Sequence, residues 1–147
     1  MATVQSAYFT GNARTTLPQP HRKGETLTVL FTHTFNTAVT TADVLELVEI
    51  PPYAQIVGFE YASANIGAIN VDIGIMSGTP GSTDASRTVG DEIVSAASIG
   101  TAAVVGVATL GAIAVNGESK VSIGLQPASN ITAAANKTVT IKLTIRS

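Results

Sequence analysis

Apolar and polar residues alternate along several stretches of the chain from Glu25 onward. In the first stretch, one face is mostly apolar and the other is formed by threonines. The first face comprises Leu27, Val29, Phe31, His33 and Phe35, and the second comprises Thr26, Thr28, Thr32 and Thr34. A period of two predicts a β-strand with one buried face. Thr and Val are β-branched, and their stiff side chains suit a pleated sheet.

The same period predicts further strands in 54–62, 69–75, 121–125 and 138–145. Asp43–Ile50 is also predicted as a strand, because Pro51 and Pro52 would end a helix too soon. Two buried apolar strands are predicted within 93–115, and Asn116-Gly117 predicts a two-residue hairpin turn.

This pattern amounts to about seven to nine strands at the spacing typical of a sandwich or barrel. Because no convincing helix interrupts the series, we predict an all-β fold: an antiparallel β-sandwich of the jelly-roll type with about eight strands. Residues 77–92 form the longest turn-rich segment.

Residues 1–24 are predicted to form an extended N-terminal arm, with the sandwich in 25–147. Gly and Pro interrupt any period in this arm, which contains three of the eight basic residues. It is either a frayed terminus or an arm that becomes ordered on a neighbouring subunit.

The composition excludes several classes of function. The chain has no Cys and no Trp, 12% charged residues and a formal net charge of −2. Disulfides, thiolate zinc sites and a clustered basic face for nucleic acid are therefore not expected. The start of the chain lacks a signal-peptide pattern, which predicts a cytoplasmic location. Residues 96–115 are uncharged, but their Gly content and lack of an aromatic belt favour strands over a membrane span.

Chemically reactive residue patterns are sparse. His21 and His33 are the only histidines, and no G-x-S-x-G motif accompanies them. The spacing of Asp84, Asp91 and Glu92 matches no calcium loop, which favours a solvated acidic loop. A pair of carboxylates could form among Glu46, Glu49 and Glu60, although these could equally be ordinary outward charges. We therefore predict no catalytic residue, no metal and no cofactor, and we expect that the protein is not an enzyme. A jelly-roll enzyme of the cupin type would need a histidine cluster.

Several segments together resemble the cement or decoration proteins of tailed-bacteriophage capsids. The strongest resemblance lies in ADVLELVEIPPYAQIVGFEY (42–61), where a strand, a proline turn and a return strand follow each other. YFT (8–10), GET (24–26), INVDIGIMSG (69–78) and VTIKLTI (139–145) agree in order. The run 99–115 has no counterpart in the family pattern.

The resemblance implies a virion protein, made in the host cytoplasm, that binds the outer face of the major capsid protein lattice and stabilises it. It further implies a homo-oligomer, a dimer or trimer, and no nucleic-acid, membrane or small-molecule partner. Six residues of the arm are the candidates for capsid binding: Tyr8, Phe9, Arg14, Leu17, Arg22 and Lys23. The alternative is another virion component, such as a head-fibre base, a tail part or a host-surface binding module.

Overall fold

The computed structural model describes residues 2–6, 26–100 and 102–146. These residues contain nine β-strands and one short helix. In chain order they are β1 (Ala2–Gln5), β2 (Thr26–Thr34), β3 (Asp43–Ile50), β4 (Gln55–Ala64), β5 (Asn70–Ile75), β6 (Val94–Ser98), β7 (Ala103–Val104), α1 (Val107–Gly111), β8 (Val121–Pro127) and β9 (Thr138–Arg146).

The strands form two sheets. One sheet has five strands in the order β1-β3-β8-β5-β6, and the other has four in the order β2-β9-β4-β7. Apart from β1, the orders 3-8-5-6 and 2-9-4-7 are those of an eight-stranded jelly roll. The predicted fold class, an all-β sandwich of about eight strands, is confirmed.

The alternating strands build the core of the sandwich. In β9, Val139, Ile141, Leu143 and Ile145 are buried, whereas the residues between them face outward. β9 lies between β2 and β4 and pairs with both along nearly its whole length. The inward residues of the two sheets interdigitate around Phe35, Phe59, Leu45 and Ile123, as expected for face-to-face sheets about 10 Å apart.

β1 is an addition to the jelly roll at the edge of the five-stranded sheet. It runs parallel to β3, with Ala2 opposite Asp43 and Gln5 opposite Glu46. The next residue, Ser6, is fully buried and donates its backbone N–H to the Glu46 carbonyl at 2.9 Å. The first residues of the predicted arm therefore form a strand, and the division into arm and domain at residue 24 stays a prediction.

The Gly- and Ala-rich run differs from the prediction of two buried strands. β6 and β7 do form there, but residues 95–98 of β6 are exposed, and the chain then turns into α1. Leu110 of α1 is buried in the core, which anchors the helix against β4. None of the helices in the described residues is long and apolar enough to cross a membrane.

The predicted hairpin at Asn116-Gly117 is wrong. These two residues instead bind the turn between β3 and β4. Asn116 donates its backbone N–H to Ala54 and its side-chain amide to Pro51, while Tyr53 donates to the Gly117 carbonyl at 3.0 Å. The element that precedes the pair is α1, so the pair does not join two adjacent strands as a hairpin turn would.

Candidate interaction surfaces

The outer faces of the two sheets differ in whether a loop covers them. Residues 77–92, which we call the covering loop, cross the outer face of the five-stranded sheet. The C-terminal end of the loop is tied to β5, because Gly90 donates to the Ile75 carbonyl and the following Ile93 donates to the Ile73 carbonyl, each at 3.0 Å. As a result β3 is buried on both faces from Val44 to Ile50.

A buried ion pair fastens the covering loop to the sheet. Arg87 is only 2% exposed, and its guanidinium donates to the Glu46 carboxylate at 2.7 Å. The same guanidinium donates to the carbonyls of Ser77 and Ser82, each at 2.8 Å, and to Ser122 Oγ at 2.9 Å. The loop therefore closes around a cation whose hydrogen bonds all lie inside the protein.

The Glu46 carboxylate is satisfied from several directions. Besides Arg87, it accepts hydrogen bonds from Ser122 Oγ and from the Gly81 backbone N–H at 3.2 Å. Burial acts to raise the pKa of Glu46, but the hydrogen bonds from Arg87, Ser122 and Gly81 and the charge of Arg87 outweigh it. The pKa is therefore lowered from its usual value, and the carboxylate stays ionised.

Two glycines allow the loop to approach so closely. Glu46, Gly124 and Gly74 lie side by side on β3, β8 and β5, in one row across the sheet. A Cβ at Gly74 would lie 2.5 Å from the Gly90 carbonyl carbon and oxygen, and one at Gly124 would lie 2.5 Å from the Met76 side chain. Larger residues in this row would therefore push the loop off the sheet.

The acidic residues of the covering loop lie at the surface. Asp84, Asp91 and Glu92 are all exposed, and the Glu92 carboxylate accepts the backbone N–H of Ile75 at 3.1 Å. Hydrogen bonds from the Ser86 backbone and hydroxyl lower the pKa of Asp84. Across 2–6, 26–100 and 102–146, no three His, Cys, Asp or Glu side chains are grouped so as to hold a metal ion.

The three candidate carboxylates of the sequence are engaged separately. Glu46 is bound to Arg87, and Glu49 lies 3.4 Å from Lys120 Nζ. Glu60 is on β4, in the other sheet. The structure therefore does not bring them together as an acid/base pair.

His33 lies on the inner side of β2, near the core. It is 7% exposed, and its ring packs edge-on against Phe35 with 5.0 Å between the ring centroids. Burial lowers the pKa of His33 to about 4, so the imidazole is neutral at physiological pH.

The outer face of the four-stranded sheet, in contrast, is not crossed by a loop of the described residues and carries exposed side chains. We call it the threonine face, because most outward residues of β2 and β9 are threonines: Thr26, Thr28, Thr32, Thr34, Thr138, Thr140 and Thr144. Two pairs of hydroxyls bond across the strands at 3.0 Å, Thr28 with Thr144 and Thr32 with Thr140.

The middle row of the threonine face is different from the rows around it. Leu30, Lys142, Glu60 and Val104 lie side by side on β2, β9, β4 and β7. Leu30 is 72% exposed and Val104 is 71% exposed, and they contribute to the lining of a shallow depression of about 270 Å³. Within the part of the chain that the structure describes, neither Lys142 nor Glu60 has an ion-pair partner.

A larger cavity lies at one end of the sandwich, beneath residues 109–117. Its volume is about 510 Å³, and its lining is mainly aliphatic, including Ile50, Ile75 and Ile113. Glu92 is the one ionisable side chain among the described residues that line it. The cavity therefore offers an apolar surface with one carboxylate in its lining.

The six residues predicted to bind a capsid all fall in 7–25, outside the described residues. Their role stays a prediction. Arg87 is not among the predicted site residues, because a lone Arg in a turn-rich segment carries no pattern that indicates burial. The sequence does indicate an exposed apolar side chain at Leu30, because it is the one apolar residue among the outward threonines of β2.

Known structures place this fold among phage capsid proteins. The chain is similar to a chain in the capsid of Ralstonia phage GP4, with 29% sequence identity and a TM-score of 0.83 over 99% of this chain and 98% of that one. It also resembles a chain of the cyanophage Pam1 capsid asymmetric unit, with 19% identity and a TM-score of 0.58 over 93% and 96% of the two chains.

A third similar chain belongs to the acid-stable capsid of Helicobacter pylori bacteriophage KHP30. It has 9% identity and a TM-score of 0.51 over 86% of this chain and 90% of that chain. A scan against protein-family models and a search of curated proteins gave no match. The last two structures agree with the fold, and the first also shares more than a quarter of its sequence with this chain. The protein is therefore related in structure to phage capsid proteins.

Proposed function

We propose that this protein is a structural component of a phage virion, and more specifically a cement protein that binds the outside of the head and stabilises the major capsid protein lattice. The observation that carries the proposal is the match along 99% of the chain to a chain of the GP4 capsid at 29% identity. Full-length agreement is informative because it includes the loops as well as the sandwich.

The surfaces of the protein support a structural role. The covering loop is fastened by buried bonds, so one side of the sandwich is rigid, while the threonine face offers a broad, nearly neutral surface. Such a surface suits contact with other proteins, because interface cores are depleted of charge. Weak contacts of this kind become strong when they repeat over a lattice.

The position of the protein in the particle tests this proposal. We expect cryo-electron microscopy of intact particles to show one jelly-roll density per repeated site on the outer head surface. Density inside the shell, at a fibre base or in the tail would overturn the cement role in favour of another virion role. Absence from purified particles would overturn both.

A second experiment tests the predicted arm. A variant with Tyr8, Phe9, Arg14, Leu17, Arg22 and Lys23 all changed to Ala keeps strand β1, which a deletion of residues 1–20 would remove. We expect this variant to fold but to lose binding to heads that lack the protein. A Glu118→Ala variant, altered in an exposed loop, is the control and should bind as the unmodified chain does.

A further inference from the structure

The cavity at the end of the sandwich is not used by the proposed function. Its floor is the end of the core, where Ile50, Ala54 and Ile56 are each 3% exposed or less. Its rim reaches the surface, since Ala112 and Val115 are exposed. Its volume of about 510 Å³ lies in the range of about 300–1,000 Å³ that is typical of small-molecule sites. A ligand can therefore reach an apolar floor without unfolding the sandwich.

The segment over the cavity is fixed at both of its ends. Leu110 is buried in the core. Asn116 donates its backbone N–H to the Ala54 carbonyl at 2.9 Å and its side-chain amide to the Pro51 carbonyl at 3.0 Å. The lining residues at 112 and 114 between these anchors are alanines, whose small side chains leave the space below them open. The cavity is therefore formed before a ligand arrives, which lowers the cost of binding.

The Glu92 carboxylate has a fixed place in the lining of this cavity. Its Oε2 accepts a hydrogen bond from the Ile75 backbone N–H at 3.1 Å. Gly74 and Gly90 give the carboxylate room, because a Cβ at either position would overlap one of its oxygens. Neither of the ion pairs among the described residues includes Glu92. The cavity therefore combines an aliphatic floor with one positioned negative charge.

We propose that this cavity binds an aliphatic ammonium compound, whose chain packs on the isoleucines of the floor and whose ammonium group pairs with Glu92. Small-molecule sites usually combine a mainly apolar lining with a few polar groups that orient the ligand. Glu92 is in the position of such an orienting group. The site goes beyond the proposed structural function, and it differs from the absence of a small-molecule partner that the resemblance to cement proteins implies.

The charge of Glu92 distinguishes between ligands that have the same chain. An ammonium group adds charge attraction to its hydrogen bond, a hydroxyl group donates a hydrogen bond without that attraction, and a second carboxylate is repelled. Because Glu92 is exposed, water screens the pair. We therefore expect a preference of about fivefold for an ammonium group over a hydroxyl group.

Titration of the full chain with octylammonium chloride at pH 7 tests the site. The ammonium group is charged at this pH, as that of Lys is. At about 30 Å³ per heavy atom, the share of a water molecule in the liquid, the compound needs about 270 Å³ and fits the cavity. We expect the methyl NMR signals of Ile50, Ile75 and Ile113 to shift saturably with a Kd of about 1 mM or below, while the signals of Leu30 on the threonine face do not shift. 1-Octanol should bind about fivefold more weakly, and octanoate more weakly still.

Two variants separate the charge of the site from its space. Glu92→Gln keeps an acceptor for the Ile75 N–H but removes the charge, so octylammonium and 1-octanol should bind it equally well. Glu60→Gln makes the same change on the other sheet and should keep the preference for octylammonium. Val121→Phe adds volume at the start of β8, where Val121 lines the cavity, and should weaken the binding of both compounds by about tenfold. Thermal unfolding checks that every variant is folded.

Three results would each overturn the proposal. The first is a titration in which octylammonium causes no saturable shift of the cavity methyl signals. The second is a preference for octylammonium over 1-octanol that persists in Glu92→Gln, and the third is a folded Val121→Phe variant that binds both compounds as the unmodified chain does. None of these results bears on the capsid assignment, which the position of the protein in the particle tests separately.

Discussion

The central rows of the two sheets differ in what lies above them. In the five-stranded sheet the row is Glu46, Gly124 and Gly74, and the covering loop lies directly on it. In the four-stranded sheet the row is Leu30, Lys142, Glu60 and Val104, and it faces outward. Both rows contain a carboxylate. Within the described part of the chain, Glu46 in the first row has an ion-pair partner and Glu60 in the second has none.

The two rows have different roles in the same fold: the covered row stabilises the folded chain, and the open row is available for contact with other proteins. The covered row has glycines where a loop must approach, and a carboxylate where an arginine must be held. The open row has exposed side chains, which lie outside the core. We therefore expect substitutions in the covered row to reduce stability, and substitutions in the open row to change association while leaving stability nearly the same.

The largest effect is expected from Arg87→Met. This change removes the cation but leaves the Glu46 carboxylate buried, so the free energy of unfolding should fall by about 3–5 kcal/mol. Chemical denaturation followed by circular dichroism measures it. A loss below about 1 kcal/mol would mean that the loop does not depend on the ion pair.

The double variant Arg87→Met, Glu46→Leu serves as its control. With both charges removed no ion remains buried without a partner, so the double variant should be more stable than Arg87→Met alone. A double variant less stable than the single one would contradict this explanation.

Gly74→Ala tests the close approach of the loop. Its Cβ would overlap the backbone of Gly90, which cannot move aside as a flexible side chain can. We expect a loss of about 1–3 kcal/mol in the free energy of unfolding. Gly117→Ala is the matched control, because a Cβ there meets no atom within 4 Å, and its effect should stay within about 0.5 kcal/mol. Equal losses in the two variants would exclude steric overlap as the cause.

A smaller, pH-dependent effect is expected from His33 on the inner side of the four-stranded sheet. Its pKa is about 4 in the folded chain and 6.5 in the unfolded one, so the unfolded chain binds more protons between these values. This contribution to stability is complete above pH 6.5 and is lost as the pH falls toward 4. In His33→Phe, the free energy of unfolding should fall less between pH 6.5 and 4 than in the unmodified chain. Parallel pH profiles of the two proteins would contradict the buried neutral state.

The smallest effect is expected on the threonine face. Thr32→Val with Thr140→Val removes one exposed hydroxyl pair but keeps the β-branched shape, so stability should change by about 0.5 kcal/mol or less. Thermal unfolding of this variant beside Arg87→Met compares the two faces directly. A loss as large as that of Arg87→Met would mean that the two outer faces contribute equally to the free energy of unfolding.

Much of the sandwich was predictable because its strands bury one face each. The period of two in β2 and β9 follows from an open outer face and an apolar inner face. β3 was predicted from its proline boundary, but its burial on both faces was not. That burial depends on the covering loop, whose Arg87 lies 41 positions beyond Glu46.

Predictions from local sequence are wrong where contacts with residues distant in the chain determine the conformation. Asn116-Gly117 has the composition of a tight turn, yet its hydrogen bonds go to residues 51–54. The Ala- and Gly-rich run has no period that separates a strand from a helix, and the burial of Leu110 favours α1. The arm residues carried the resemblance-based site prediction, which remains open because they lie outside the described residues.

The central position of β9 has a consequence for how the chain folds. Thr26 pairs with Arg146, 120 positions away, and β4 also depends on β9 for its main partner. During synthesis β2 and β4 therefore emerge long before the strand that joins them. Because closing such distant pairs is slow and leaves strand edges unpaired in the meantime, nascent chains are exposed to aggregation until β9 has left the ribosome.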